Sequence, residues 1–408
     1  MTSNEIQFNA ADGPTVPIYI HRLLPLAIVY FFLNSAGLPI GLFYTSMLSP
    51  LLYLWLIKEG KRWVSVKFIA CLSLFIVMQV YDGLNSPFYY LRSILLLWTV
   101  YVTVYAFLWA LLKCKNIERL FEELMVLNLC AAPIALVILF TPAKELLWNM
   151  NLAQTAGSGG WTPRLQLLTS EPSAYGELMA PLLIFSAMRL INNPTGRNFL
   201  YLVIIAIPML LSQSFGAISI CAAGIGIAVL FTFRHALRQW RAGAILVLGA
   251  LFVIGLIMVP NPIGRRVAEV ASGNDSSIHT RTLNAYILAY AIAGTKSIWW
   301  GVGVGQAKLY DNMRVLKTLG YPNTVLPDTT ADTLANMGIV AVLIKFVLEI
   351  YLYYRTRVYS SPFRLAIFAV VFVYQFTGGN LMSIQEYLLW GFAFMPIIGL
   401  EPQNNKCQ

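Results

Sequence analysis

This sequence predicts an all-α, polytopic integral membrane protein, and three observations carry that expectation. The first is composition: of 408 residues, 58% are hydrophobic and 11% charged, whereas soluble domains carry roughly a quarter charged residues. Second, apolar runs long enough to cross a hydrocarbon core of about 30 Å recur along the chain. They are continuous and rich in Leu, Ile, Val and Phe, unlike the alternating segments of a spanning barrel. Third, the basic residues of the short connections segregate to one side, as the excess of Lys and Arg in cytoplasmic loops requires.

The polar N-terminus, MTSNEIQFNAADGPTVP, lacks the basic, apolar, then small-residue order of a cleaved signal. The first span is therefore expected to anchor the mature protein. Spans are expected near 22–36, 38–57, 64–80, 92–112, 124–141, 177–191, 199–213, 215–232, 243–260, 335–354, 363–377 and 385–400, about twelve helices in one membrane domain. No internal repeat or linker divides the chain.

Five connections are basic: Lys58/Lys61/Arg62/Lys67, Lys113/Lys115/Arg119, Arg189/Arg197, Arg234/Arg238/Arg241 and Arg355/Arg357/Arg364. All fall on the cytoplasmic side if both termini are cytoplasmic. The opposite short loops, near 81–91 and 376–384, are read as the outer side. Segment 282–293 is apolar but short, and counting it as a span would put one basic connection outside. It is expected to be an amphipathic or re-entrant helix. Two long outer loops remain, 142–176 and 261–333. The net charge of +10 follows from the cytoplasmic loops and does not call for nucleic acid. Cys71, Cys114, Cys130, Cys221 and Cys407 show no metal-ligand or CxxC spacing and imply no disulfide framework.

The outer loops hold the candidate chemistry. In 142–176, Arg164 precedes Glu171, Tyr175 and Glu177. A guanidinium binds phosphate oxygens as a bidentate fork, and a neighbouring carboxylate can activate a hydroxyl. A surface Arg–Glu pair is the plain alternative. In 261–333, Arg281 follows Ser276, Ser277 and Thr280 and opens the short helix, an arrangement that suits an anion at a helix N-terminus or an ordinary capped helix.

Arg265 and Arg266 follow a span directly, where they can grip headgroups or assist with phosphate. His279 has the right pKa range for a base but stands alone in a loop. Asp328 and Asp332 precede a span, as helix cap or proton acceptor. Trp299 begins WWGVGVGQ, whose glycines read as a tight turn and whose tryptophans suit interfacial anchoring or sugar stacking. With no strand before it, the glycine string is not a dinucleotide site. Lys345 and Glu349 stand at i,i+4 within a span and are expected to pair there. No metal constellation and no cofactor motif is found.

Several of these stretches resemble the O-antigen polymerase and O-antigen ligase superfamily. LSQSFGAISICAAGIGIAVLF (211–231) is similar to its small-residue span. SSIHTRTLNAYILAYAIAGTKSIWWGVGVGQ (276–306) resembles its arginine-to-glycine-string segment. TADTLANMGIVAVLI (330–344) resembles the segment closing the large outer loop, and TSEPSAYGELMAPLLI (169–184) its loop-to-span junction. The resemblance covers residues 160–345.

It implies a GT-C-like membrane glycosyltransferase of the bacterial inner membrane that acts on the periplasmic side. The substrate would be an undecaprenyl-diphosphate-linked oligosaccharide, used without metal or cofactor, and a chain-length-regulating membrane protein would be a partner. Arg164 and Arg281 would bind the diphosphate with Arg265 or Arg266 assisting. Glu171 or Asp328 would be the base, and Tyr175, His279 and Trp299 would contact the acceptor or sugars. Pro327–Asp328 stands where ligases carry His-Asn, and Ser214–Phe215–Gly216 where the family has SRG. The missing histidine favours polymerase over ligase; a flippase or exporter of the same lipid-linked glycan is the alternative outside the enzyme class.

Overall fold

A computed structural model describes residues 24–33, 44–114, 117–150, 163–169, 171–236, 283–310, 326 and 328–396. The helices are α1 (Leu24–Phe31), α2 (Tyr44–Lys58), α3 (Val64–Tyr81), α4 (Pro87–Cys114), α5 (Ile117–Ile138), α6 (Pro172–Asn192), α7 (Gly196–Leu211), α8 (Phe215–Ala236), α9 (Leu283–Gly294), α10 (Thr329–Arg355), α11 (Pro362–Tyr374) and α12 (Ile384–Phe394). Each expected span coincides with one of these helices, except 243–260, which lies outside the described residues. Five of them, α3, α4, α5, α6 and α10, are long and apolar enough to cross a membrane. The protein is a helical membrane protein.

Helix starts follow local chemistry. Pro opens α4, α6 and α11 at the position where a missing N–H costs nothing. Thr195 caps α7 by accepting from Asn198 N, and Ser383 caps α12 by accepting from Glu386 N, both at 3.3 Å. Side chains left outside are apolar and helically spaced, such as Val126, Ile134 and Val137 on α5 or Leu343, Val347, Ile350 and Tyr354 on α10. Exposed stripes of this kind suit a lipid solvent rather than water.

The core is built around α6, which is buried along nearly its whole length. Around it Phe121, Phe185, Phe363, Phe392 and Tyr30 close ring on ring, Phe121 and Phe185 at 4.9 Å. Helices α5, α7, α8, α11 and α12 screen α6 from the surroundings.

Three features depart from the sequence reading. Loop 142–176 contains a two-stranded antiparallel hairpin, β1 (Trp148–Asn149) with β2 (Arg164–Leu165), pinned by Trp148 Nε1 donating to Ala135 O at 2.7 Å. Helix α9 exposes Leu283, Ile287 and Tyr290 and buries Ala285, Leu288, Ala289 and Ile292. Both faces are apolar, which is not the pattern of an amphipathic helix lying on water. Arg364, counted as a basic loop residue, is 1% exposed. It donates to Ala393 O (2.9 Å), Thr356 O (2.7 Å) and Phe394 O (3.1 Å), tying together the C-terminal ends of α10 and α12.

Carbonyls at helix C-termini carry partial negative charge and no intrahelical partner, so a buried guanidinium satisfies several at once. Arg364→Met is expected to lower stability by about 3 kcal/mol or more, since it leaves buried carbonyls unpaired. Thermal unfolding of the purified variant followed by tryptophan fluorescence checks this. Arg364→Lys, with a single donor head, is expected to recover only part of the loss.

Candidate functional site

The polar interior lies where α10 begins. Asp328 caps this helix through Oδ1, which accepts from Ala331 N at 2.7 Å. Thr329 N donates to Gly378 O at 3.1 Å, and Thr330 N to Gln375 O at 3.1 Å. Asp332 Oδ2 accepts from Leu381 N at 2.9 Å, and its Oδ1 from Asn336 Nδ2 at 2.7 Å. The first turns of α10 are thus seated on the connection between α11 and α12.

Helix α10 is broken at Gly338, where φ is 78° and ψ −179°. Thr329 donates its hydroxyl to Glu386 Oε2, while Lys345 Nζ lies 3.6 Å from Glu386 Oε1. In a straight helix residues sixteen apart would be separated by about 24 Å. Here both reach one carboxylate, so the two halves fold into a V with Gly338 at its apex.

The apex is held by the glycine string. Val302 N donates to Ala335 O and Gly303 N to Asn336 O, each at 3.0 Å. In return Ile339 N donates to Ile298 O (3.0 Å) and Val340 N to Trp299 O (3.3 Å). Asn336 Oδ1 accepts from Gly305 N at 3.0 Å. Gln79 Nε2, from α3, bridges Trp300 O (2.9 Å) and Asn336 O (3.0 Å), and Tyr90 donates to Gln79 Oε1. Gly301, Gly303 and Gly305 all have positive φ, a region glycine enters without the steric cost a Cβ would bring, which accounts for a glycine at each of these three positions. The string is a turn, as its residues predicted, and its partner is the break in α10.

Below the first turn of α10 lies a charged group. Lys345 Nζ is 3.5 Å from Glu349 Oε1 and donates to Gln375 Oε1, while Gln375 Nε2 donates to Glu349 Oε2 at 3.1 Å. The expected Lys345–Glu349 pair is present, and Glu386 and Gln375 complete it. Intramembrane charges that pair this closely are expensive to bury and mark a site worth testing.

The proposed site residues fall into different places. Asp328 is fully buried, and burial raises its carboxyl to about 7, opposed by the bond from Ala331 N and by the Tyr286 hydroxyl. Tyr286 acts on Asp328 electrostatically, yet among the described residues neither its hydroxyl nor Asp328 Oδ2 has a hydrogen-bond partner of normal geometry. Glu171 is exposed at the N-terminus of α6 and makes no side-chain cap.

Arg164 donates from Nε to Ser212 O (3.2 Å) and from Nη2 to Gln213 O (3.3 Å), so it ties the hairpin to the end of α7. Trp299 is 61% exposed and joins the apex through its carbonyl, which accepts from Val340 N. Tyr175 is 1% exposed and donates to Asn128 Oδ1 at 2.5 Å, inside the packing of α5 and α6. Arg265, Arg266, His279 and Arg281 lie outside the described residues.

Sequence reasoning missed Glu386, Gln375, Gln79 and Asn336. Glu386 carried one visible signal, a carboxylate three residues after a capping serine in an apolar run. Fold and site together define a class, a helical membrane protein with a broken helix seated over buried charges. No family model matches the chain, and no curated protein matches it either.

Proposed function

We propose that the protein is a polysaccharide polymerase of the bacterial inner membrane. It would extend a glycan held on undecaprenyl diphosphate by transferring it onto the next lipid-linked repeat unit at the periplasmic face. The observation that carries this reading is the union of two stretches that resemble the O-antigen polymerase and ligase superfamily. The glycine string at 301–305 and the closing segment at 330–344 fold against each other backbone to backbone. The resemblance therefore falls on residues that the fold needs together.

Contacts also support one-sidedness. Loop segments read as outer from charge alone touch one another: Arg164 with Ser212 and Gln213, Gln306 with Ser86, and Asp332 with Leu381. With the basic connections cytoplasmic, about twelve spans and both termini inside complete the proposed topology. Displacement at an anomeric carbon with a diphosphate leaving group needs charge stabilisation above all. Arg281, with Arg265 or Arg266, would supply it, alongside Arg164. The partners are the lipid-linked oligosaccharide, the bilayer and a chain-length-regulating membrane protein.

Purified protein is incubated with a lipid-linked repeat unit and resolved by glycan size. A ladder with release of undecaprenyl diphosphate is the expected result, lost in Arg281→Ala at normal expression. Transfer only when a lipid A core acceptor is added would mean ligase. The break at Gly338 favours a second reading, transport of the same glycan, because discontinuous helices are characteristic of transporters. Movement of the lipid-linked glycan across vesicles with no bond formed would select it.

A further inference from the structure

The apex of α10 is level with the outer end of α3, because Gln79 donates to Asn336 O at 3.0 Å and to Trp300 O at 2.9 Å. Val77 and Val80 beside Gln79, and Leu91 near the start of α4, are exposed apolar side chains, so the lipid-facing surface extends up to this level. From the apex, residues 339–355 descend about 25 Å toward the cytoplasmic side, most of a crossing by themselves. Residues 329–337 descend beside them. Thr329 donates to Glu386, whose other oxygen lies 3.6 Å from Lys345, seven residues after Gly338. The foot of the first half therefore lies about 10 Å beneath the apex, at the level of exposed Leu343, Ile344 and Val347.

Short neighbours make room for it. Helix α11 has 13 residues and α12 has 11, so they measure about 20 and 17 Å against a hydrocarbon core of about 30 Å. Their connection accepts the start of α10, Gly378 O from Thr329 N and Gln375 O from Thr330 N, each at 3.1 Å. Helix α9 takes the same course. Its C-terminal end is fixed at the outer level, where Lys296 Nζ donates to Gln79 O at 3.1 Å. Ala285, Leu288, Ala289 and Ile292 pack with Ala331 and Ala335 of α10. The helix carries no charged side chain, and Leu283, Ile287 and Tyr290 are exposed.

We propose that α9 and the first half of α10 form a re-entrant pair, inserted from the outer side and ending within the membrane, and that Leu283, Ile287 and Tyr290 form a surface covered by lipid acyl chains. A helix that ends at membrane depth must have its free backbone groups satisfied by protein. The bonds from Thr329 N and Thr330 N to the α11–α12 connection meet that demand for α10. The α9 surface lies at the depth of the exposed stripe on the second half of α10, so one apolar solvent covers both. The ordinary alternative is a helix lying flat in the interface, its axis parallel to the membrane.

Spin labels on the full chain in nanodiscs distinguish the two. Exposed Cys71, Cys114 and Cys130, together with Cys407, are replaced by alanine, and buried Cys221 is kept. Labels are placed one at a time through Leu283→Cys, Ile287→Cys and Tyr290→Cys, with Trp299→Cys as the outer reference and Val347→Cys as the deep one. Relaxation by oxygen, which partitions into lipid, and by a water-soluble nickel chelate reads the depth of each. Depth is expected to increase from 290 through 287 to 283, by up to about 10 Å over these seven residues. A flat helix places the three, which share one face, at a single depth. Equal depths, or labels that meet nickel as freely as in water, overturn the proposal. If the cysteine-depleted chain does not fold, a benzophenone amino acid at 283 or 290 of the natural chain decides. Its lipid adducts are expected nearer the end of the acyl chain from 283 than from 290, and adducts at one position overturn the proposal equally. No glycan enters the experiment, so its outcome is independent of the polymerase reading.

Discussion

Gly338→Ala is expected to prevent the protein from reaching its folded state. Gly338 combines φ 78° with ψ −179°, a region essentially closed to residues with a Cβ and costing about 1–3 kcal/mol in strain. Space is the larger obstacle. A Cβ at Gly338 would lie 2.2 Å from Trp299 O and 2.5 Å from Trp300 N, both backbone atoms. The contact is reciprocal, because a Cβ at Gly301 would meet Asn336 C at 2.5 Å and Met337 N at 2.6 Å. Neither strand of chain can withdraw without breaking the hydrogen bonds that Ile339 and Val340 donate to Ile298 and Trp299.

Strain, overlap and lost bonds together place Gly338→Ala beyond about 4 kcal/mol, where single substitutions become exceptional. Gly83 supplies the control. Its φ is also positive, at 82°, but nothing lies within 4 Å of a Cβ there, so Gly83→Ala is expected to cost only about 1 kcal/mol. Size-exclusion profiles and thermal unfolding of the two variants side by side check this. Equal, small losses in both would mean that the apex of α10 is not held as described.

The same apex shows where sequence reading succeeds and where it stops. Spans were legible because a membrane imposes a length and a composition on each segment separately. Glycines 301, 303 and 305 were legible as a turn for a similarly local reason. The break at Gly338 was not, since TLANMGIVAVLI reads as the start of one apolar run. Its cause is contact with residues some forty positions earlier, together with Gln79 more than 250 positions away.

Burial was hidden in the same way. Tyr175 and Arg364 sit at helix beginnings, where polar side chains usually meet water or headgroups, yet each is enclosed by helices distant in sequence. Lys345 and Glu349 were legible as a pair because i,i+4 is a local spacing. Glu386, on another helix, completes that pair and could not be joined to it by spacing.

Asp328→Asn is expected to separate the two roles open to Asp328, helix cap and base. Asparagine caps as well as aspartate, so the bond from Ala331 N survives the change, while the carboxylate that would take a proton is gone. On the polymerase reading, glycan extension should fall by about a hundredfold or more, the range of a lost general base, with the protein still folded. Retained extension would remove Asp328 from the chemistry and leave it as a cap.

Stability gives an independent check, and its sign follows from burial. Asp328 has its carboxyl raised from an ordinary 3.8 to about 7 in the fold. Between those values the folded protein keeps a proton that the unfolded chain has lost, so stability decreases as pH rises from about 4 to about 7 and is level above. The full loss is on the order of a few kcal/mol. In Asp328→Asn that part of the slope is expected to disappear. Denaturation midpoints recorded across this pH range for both proteins test it, and parallel curves would mean that Oδ2 of Asp328 is better solvated than its enclosure beside Tyr286 implies.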